Sequence, residues 1–210
     1  MDKSLPGGKR QDMTALPIFP LNTVLLPGGP LALRVFETRY VDMTRDCLRN
    51  NSSFGVCLIR EGKEVGTPAM PHDVGCLASI IDCDTQQLGV FQIEAVGGQR
   101  FRINSRTVNS QGLILADVTL IPDEPARPLS DDFRNCRQLL ELMLQKHGDD
   151  LFPKPHRLED ADWVSYRLAE RLPIPLFMRQ QLLEMEGSEQ RLNALQRLLT
   201  GVDPSSTPTR

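Results

Sequence analysis

"LPIFPLNTVLLPGGPLALRVFE", Leu16 to Glu37, holds four prolines and the pair Gly28–Gly29 in an otherwise largely apolar stretch. A central strand does not accommodate that many residues without an N–H. A surface loop has no need of so much leucine and valine. The two demands are reconciled if the prolines are punctuation. Pro17 and Pro20 suit the start and the edge of a first strand. Pro27–Gly28 suits the two central positions of a type II turn, where proline presets φ and glycine supplies the positive φ. Leu31, Leu33 and Val35 then share one face of a second strand, and Glu37 opens a helix.

Working outward, Glu37–Asn50 places Tyr40, Thr44, Cys47 and Leu48 at helical spacing, and the polar run Asn50–Ser53 ends it. Beyond it the pattern is strand-like. Phe54–Arg60 is apolar on both faces, as in a strand buried on both sides. Gly75–Cys83 and Leu113–Ile121 are further strands. Val90–Val96 alternates, with Phe91, Ile93 and Ala95 on one face. After Gly97–Gly98, which suits a turn or a bulge, Phe101 and Ile103 alternate with Arg100 and Arg102, putting the arginines on a charged outer face. "IPDEPARPLS", Ile121–Ser130, is a boundary. Past it the chain reads as helical. Ser130 is an N-cap with Asp131 and Asp132 behind it. Phe133, Cys136, Leu140, Met143 and His147 then trace one face up to Gly148. Further helices follow over Glu159–Arg171, from Pro175 to about Met185, and after Gly187–Ser188 with a stripe of Leu192, Leu195, Leu198 and Leu199. The expected organisation is α+β. A β unit with one helix spans residues 12–122, a helical bundle subdomain spans 130–201, and flexible tails cover 1–11 and 202–210.

The chain has 210 residues, a net charge of −3 and 24% charged residues, ordinary values for a globular protein. Lysine and arginine are spread evenly, 13 before residue 130 and 11 after it, so no basic footprint for nucleic acid stands out. No stretch is long and apolar enough for a membrane span, and the polar N-terminus lacks the core of a secretory signal. Five cysteines, an odd number at irregular spacing, point to reduced thiols and a cytoplasmic, bacterial setting.

Enzymatic chemistry finds little support. The Gly-Lys pairs lack the upstream glycine and the hydroxyl of a phosphate loop. Histidine and cysteine are not clustered as zinc requires; His72 and Cys76 read as a surface imidazole and a core thiol. Asp82 and Asp84 share a strand face but supply too few oxygens for calcium, and read as a solvated edge. One uninterrupted strand would put Cys76 and Cys83 on opposite faces. A Cys57–His72 dyad is conceivable, but Cys57 lies in an apolar strand, where a thiol is inert. The lysines sit in polar or proline-flanked sequence, unsuited to activating a serine. Neither a cofactor nor a metal is expected.

The order of "LPIFPLNTVLLPGGPLALRVFETRY", "FGVCLIREGKEVGTPAMPHDVGCLASI" and "AVGGQRFRI" closely resembles the N-terminal substrate-binding domain of the Lon protease family, and "RLPIPLFMRQQLLEMEGSEQRLNALQRLL" is similar to the helical segment that follows it. The resemblance implies a PUA-like β pseudobarrel with a helix, followed by a helical subdomain, and a role in recognising protein substrates. The ATPase and Ser–Lys protease domains of a full Lon protease have no counterpart in these residues. The expected protein is therefore a free-standing, non-catalytic polypeptide-binding or adaptor module. Its expected partners are unfolded or extended polypeptides and a protease or chaperone, with no membrane, nucleic acid disfavoured, and room for a weak homo-oligomer. A strand edge would bind by main-chain hydrogen bonding. Apolar loop residues Leu25, Leu26 and Pro27, with Met70 and Pro71 of "TPAMP", are the candidate contacts. The alternative is an RNA-binding PUA-like module that uses Arg100, Arg102 and Arg106.

Overall fold

A computed structural model describes residues 11–200 apart from 88, 124–125, 149–151 and 153. Of the expected tails, 1–11 and 202–210, all but residue 11 lies outside the described residues. The chain divides into two units, on either side of Asp123.

In the first unit the opening stretch builds β1 (Asp12–Leu21), a turn, β2 (Pro30–Val35) and α1 (Thr38–Asn50). The strands β3 (Phe54–Glu61), β4 (Met70–Pro71), β5 (Val74–Gln87), β6 (Val90–Val108) and β7 (Ile114–Leu120) follow. β1 begins at Asp12, ahead of Pro17, with a register break between Met13 and Leu16. The turn is as the sequence requires. Gly28 has φ of 69°, and the Gly29 N–H donates to the Leu26 carbonyl at 2.9 Å. α1 is closed by Asn51 in the left-handed region, with the Ser52 N–H donating to the Cys47 carbonyl at 3.0 Å.

The pairings β1–β7, β7–β6, β6–β5 and β5–β3 are antiparallel, and a parallel β3–β1 pairing returns to the first strand, closing a circuit. One face of this circuit gathers Leu16, Ile18, Cys57, Phe101, Ile103, Ile114, Ala116, Val118 and Leu120. The other face, covered by α1, gathers Phe19, Val35, Tyr40, Phe54, Cys76, Ile93, Ala95 and their neighbours.

Two bulges decide which side chain goes where. Cys76 pairs with Arg100 but Ala78 with Gly97, so β6 carries an extra residue at the Gly97–Gly98 site. That single insertion inverts the alternation. Ile93 and Ala95 therefore face α1, whereas Phe101 and Ile103 enter the opposite cluster. A second break, between Ile80 and Asp82 of β5, turns Ile81 out to solvent at 64% exposure. Cys76 and Cys83 accordingly pack on the same cluster, not on opposite faces, because the strand between them is interrupted.

In the second unit Ser130 caps a short 3-10 turn, and its hydroxyl accepts from the Asp132 N–H. The helices α2 (Arg134–His147), α3 (Ala161–Arg171), α4 (Leu176–Glu184) and α5 (Ser188–Thr200) follow. Asp160 caps α3 by accepting from the N–H groups of Asp162 and Trp163. The buried stripe of α2 holds Cys136 and Leu140 but not His147, which is exposed. A buried guanidinium joins three elements. Arg191 of α5 pairs with Asp162, donates to the Ser165 hydroxyl at 3.1 Å and the Met185 carbonyl at 3.2 Å, and lies over the Tyr166 ring at 4.1 Å.

Candidate functional site

Helix α1 begins where β2 ends, and the junction is held by one arginine. Arg39, 6% exposed, donates to the Glu37 carboxylate at 2.9 Å and to the Gly112 carbonyl at 3.1 Å. The same Glu37 oxygen accepts from the Gly66 N–H at 3.3 Å, and the Glu64 carboxylate accepts from the Asn22 N–H. The loop after β3 is thereby tied beside β2. Tyr40 stacks on Phe19 with ring centroids 3.8 Å apart, and the Arg39 guanidinium lies 4.7 Å from the Tyr40 ring centroid. Burial raises the Tyr40 phenol above its ordinary pKa.

These contacts enclose a groove of about 190 Å³, lined by Phe19, Leu33, Val35, Phe36, Tyr40 and Val65 among others. Residues 32–36 line it consecutively, so the backbone edge of β2 borders the space, not merely one of its faces. Among the described pairings β2 is bonded to β6 alone. Across the groove, β7 pairs with β1 only as far as Ile18, so Phe19–Leu21 have β3 as their partner on one side. An open strand edge therefore faces a short apolar gap. Phe36 and Val65 stand at its mouth, 53% and 56% exposed. The volume is below the range usual for small-molecule sites; it suits side chains of a longer ligand.

The residues expected to make contacts are placed otherwise. Leu25 and Leu26 are buried, at 4% and 1% exposure, and Pro27 is half-buried. The cause is Gly97. The Gly28 N–H donates to the Gly97 carbonyl at 2.7 Å and the Gly97 N–H to the Gly29 carbonyl at 2.8 Å, seating the turn on β6. A Cβ at Gly97 would come within 2.2 Å of the Leu26 carbonyl oxygen, so only glycine admits this approach. Met70 is exposed and Pro71 buried, and both form β4 against β3 instead of a loop. The turn on β6 and β4 on β3 are separated by β5. Sequence reading missed Phe36 and Val65. Their only local signals are an aromatic just past the last alternating position of β2 and an isolated valine in the polar run Glu61–Thr67.

The arginines do not form an outward row. Arg100 is buried, Arg106 pairs with Asp73 at 3.1 Å, and Arg102 is exposed. The bulge that sends Phe101 inward also removes Arg100 from the surface. Asp82 and Asp84 do lie on the exposed face of β5 with Cys83 turned inward. The described residues contain no cluster of metal-ligating side chains.

The thiols offer no nucleophile. Burial pushes Cys57 far above its ordinary pKa and Cys136 to about 11. Cys47 is raised by burial despite its hydrogen bond from Ser52, and Cys83 is raised by burial and by Asp82 and Asp84. A thiol raised in this way is protonated at neutral pH and reacts slowly. Iodoacetamide at pH 7 should therefore modify Cys83 first and more slowly than it modifies an unstructured peptide thiol. Cys47, Cys57, Cys76 and Cys136 should react only after denaturation, as read by intact-mass spectrometry.

Among the described residues, no helix is long and apolar enough to cross a membrane. Compared with known proteins, residues 15–201 match the family model described as the ATP-dependent protease La (LON) substrate-binding domain. A Lon protease of Anaeromyxobacter dehalogenans (strain 2CP-C) is 25% identical over 204 residues, covering 90% of this chain and 24% of the relative. Protein cereblon of Danio rerio is 30% identical over 112 residues, covering 51% of this chain and 26% of the relative. The chain thus spans about a quarter of the length of the curated relatives it matches. The crystal structure of a Lon N-terminal domain protein from Xanthomonas campestris superimposes with a TM-score of 0.74 at 37% identity, covering 88% of this chain and 98% of the other. The N-terminal domain of the Mycobacterium avium complex Lon protease shares the fold, with a TM-score of 0.64 at 18% identity over 86% of this chain and 95% of that one.

Proposed function

Because the chain belongs to the substrate-binding domain family of the ATP-dependent Lon proteases, we propose that it is a cytoplasmic polypeptide-recognition module that captures extended segments at the free edge of β2. Its part is recognition, not catalysis. The closed circuit of strands in residues 12–122 is read as a PUA-like pseudobarrel, and residues 130–201 as a helical bundle subdomain. The observation that carries the reading is the coincidence of a strand edge that pairs with no other described strand and an apolar gap along its length. An added strand would be held by the main-chain groups of β2, whatever its sequence, while the gap beneath takes alternate side chains. Such a site suits clients that present unpaired backbone, namely unfolded polypeptides, with a protease or chaperone downstream. Met70 and Pro27, exposed and half-buried, stand as outlying contacts; Leu25 packs in the cluster that α1 covers, and Leu26 and Pro71 are buried.

The test is the affinity for an unfolded model protein such as reduced, carboxymethylated α-lactalbumin. The double variant Phe36→Ser, Val65→Ser should weaken it by about tenfold, since two partly exposed apolar side chains lose burial on binding. The melting temperature should stay within a degree or so, as neither side chain is in the core. Undetectable association of the wild-type protein at high micromolar concentration would overturn the reading.

A further inference from the structure

The face of the sheet beside the groove carries a charge pattern that the groove does not explain. Reading across three strands, Ala32 of β2 lies opposite Glu94 of β6, and Glu94 lies opposite Asp82 of β5. The next row on the same face is Arg34, Gln92 and Asp84. The two rows line one shallow depression of about 460 Å³. In the second row the arginine is built in. The first row sets two carboxylates directly opposite each other, an arrangement that disfavours the sheet, and ends at the free edge in a methyl group.

We propose that the free edge of β2 selects segments in which a lysine or arginine is flanked on both sides by apolar residues. The inference rests on the reading of the preceding subsection and adds the chemistry of the ligand. In a strand laid beside β2, successive side chains alternate between faces. The residue next to Ala32, on the exposed face, lies about 10 Å from β6, two strand spacings away. A lysine or arginine stem laid over the Ala32 methyl covers most of that distance, and the Glu94 side chain reaching back from β6 closes the rest, so the charge meets Glu94 with Asp82 behind it. Its neighbours on either side turn to the opposite face, that of Leu33 and Val35, and enter the apolar gap. Around that gap the other carboxylates already have donors: Glu37 holds Arg39 and the Gly66 N–H, and Glu64 holds the Asn22 N–H. Of the charged residues that line the two depressions, Arg34 is the sole cation against Glu37, Glu64, Asp82, Asp84 and Glu94. A basic segment is thus the complementary one, and an acidic segment is repelled.

The test uses three fluorescein-labelled peptides of one extended sequence, alternating valine and threonine, with arginine, glutamine or glutamate at the central threonine position. Anisotropy titration of the full chain should show the arginine peptide bound about fivefold tighter than the glutamine one, and the glutamate peptide weakest. The order should flatten at about 0.5 M salt. In the double variant Asp82→Asn, Glu94→Gln, whose changes are on the surface, the arginine and glutamine peptides should bind alike. Equal binding of the three peptides to the wild type would overturn the selectivity and leave the recognition function standing. A preference that survives in the double variant would overturn it too, by placing the cation elsewhere. Failure of every peptide to bind would overturn the inference together with the reading beneath it.

Discussion

Replacing Phe101 with alanine is expected to cost about 3–5 kcal/mol of stability, the range for emptying a fully buried aromatic site. Phe101 is 0% exposed and fills the cluster inside the closed circuit of strands. Two glycines make room for it. A Cβ at Gly55 would lie 2.7 Å from Phe101 Cζ and 2.7 Å from Ile18 Cδ1. A Cβ at Gly75 would lie 2.6 Å from Phe101 Cζ, 2.5 Å from Cys57 Sγ and 2.5 Å from the Val56 carbonyl oxygen. Gly55→Ala and Gly75→Ala should each destabilise by about 1–3 kcal/mol through overpacking. They should differ in rescue. The obstacles at Gly55 are side-chain ends, so Phe101→Leu should recover much of the loss, and a double-mutant cycle should show coupling of about 1 kcal/mol or more. At Gly75 one obstacle is backbone, which no side-chain change removes, and the recovery should be smaller. Urea midpoints of the four single variants and two pairs decide it. Equal recovery at both glycines would contradict the assigned packing.

Arg191→Ala should destabilise the helical unit by about 3–5 kcal/mol, since removing one partner leaves buried polar groups unpaired. Arg191 is 1% exposed and divides its donors among the Ser165 hydroxyl, the Met185 carbonyl and Asp162, three directions that only a guanidinium serves at once. Arg191→Lys keeps the charge and loses the geometry, so it should recover at most about half of the loss. The stacking over Tyr166 gives a local readout. Its ring lies 4.1 Å from the guanidinium carbon, so the near-ultraviolet circular dichroism should change in both variants before any change in helix content. A lysine variant as stable as the parent would show that charge alone holds the site.

The local elements were legible in the sequence because their signals are local. The helix periodicity of Tyr40, Thr44 and Cys47 and the turn chemistry of Pro27–Gly28 act over a few residues, and α1 and the turn form where those signals stand. The Gly97–Gly98 site was readable as a break in the strand. Its consequence was not. Whether Phe101 joins Ile93 or faces away from it depends on how many β6 residues oppose β5 across the bulge, a count set by pairing. The same limit applied to Cys76 and Cys83, whose common face follows from a bulge that nothing in "ASIIDC" announces.

The candidate site shows the limit most clearly. Leu25 and Leu26 are apolar residues in a turn, and sequence alone gives such residues equal claim to core and surface. The turn is core because Gly97, some seventy residues away, lacks a side chain and lets the Leu26 carbonyl approach. Phe19, Tyr40 and Val65 come from a strand, a helix and a loop, and become one groove through the β1–β3 pairing and the ties of Glu37 and Glu64. The amino-acid sequence by itself determined most of the elements, their order and the family resemblance, since each rests on spacing along the chain; β4, expected as a loop, is a strand only through its pairing with β3. The tertiary structure alone decided which strand edge has no partner among the described strands and which side chains border it, because strand pairing is non-local and a shift of one residue reverses every face.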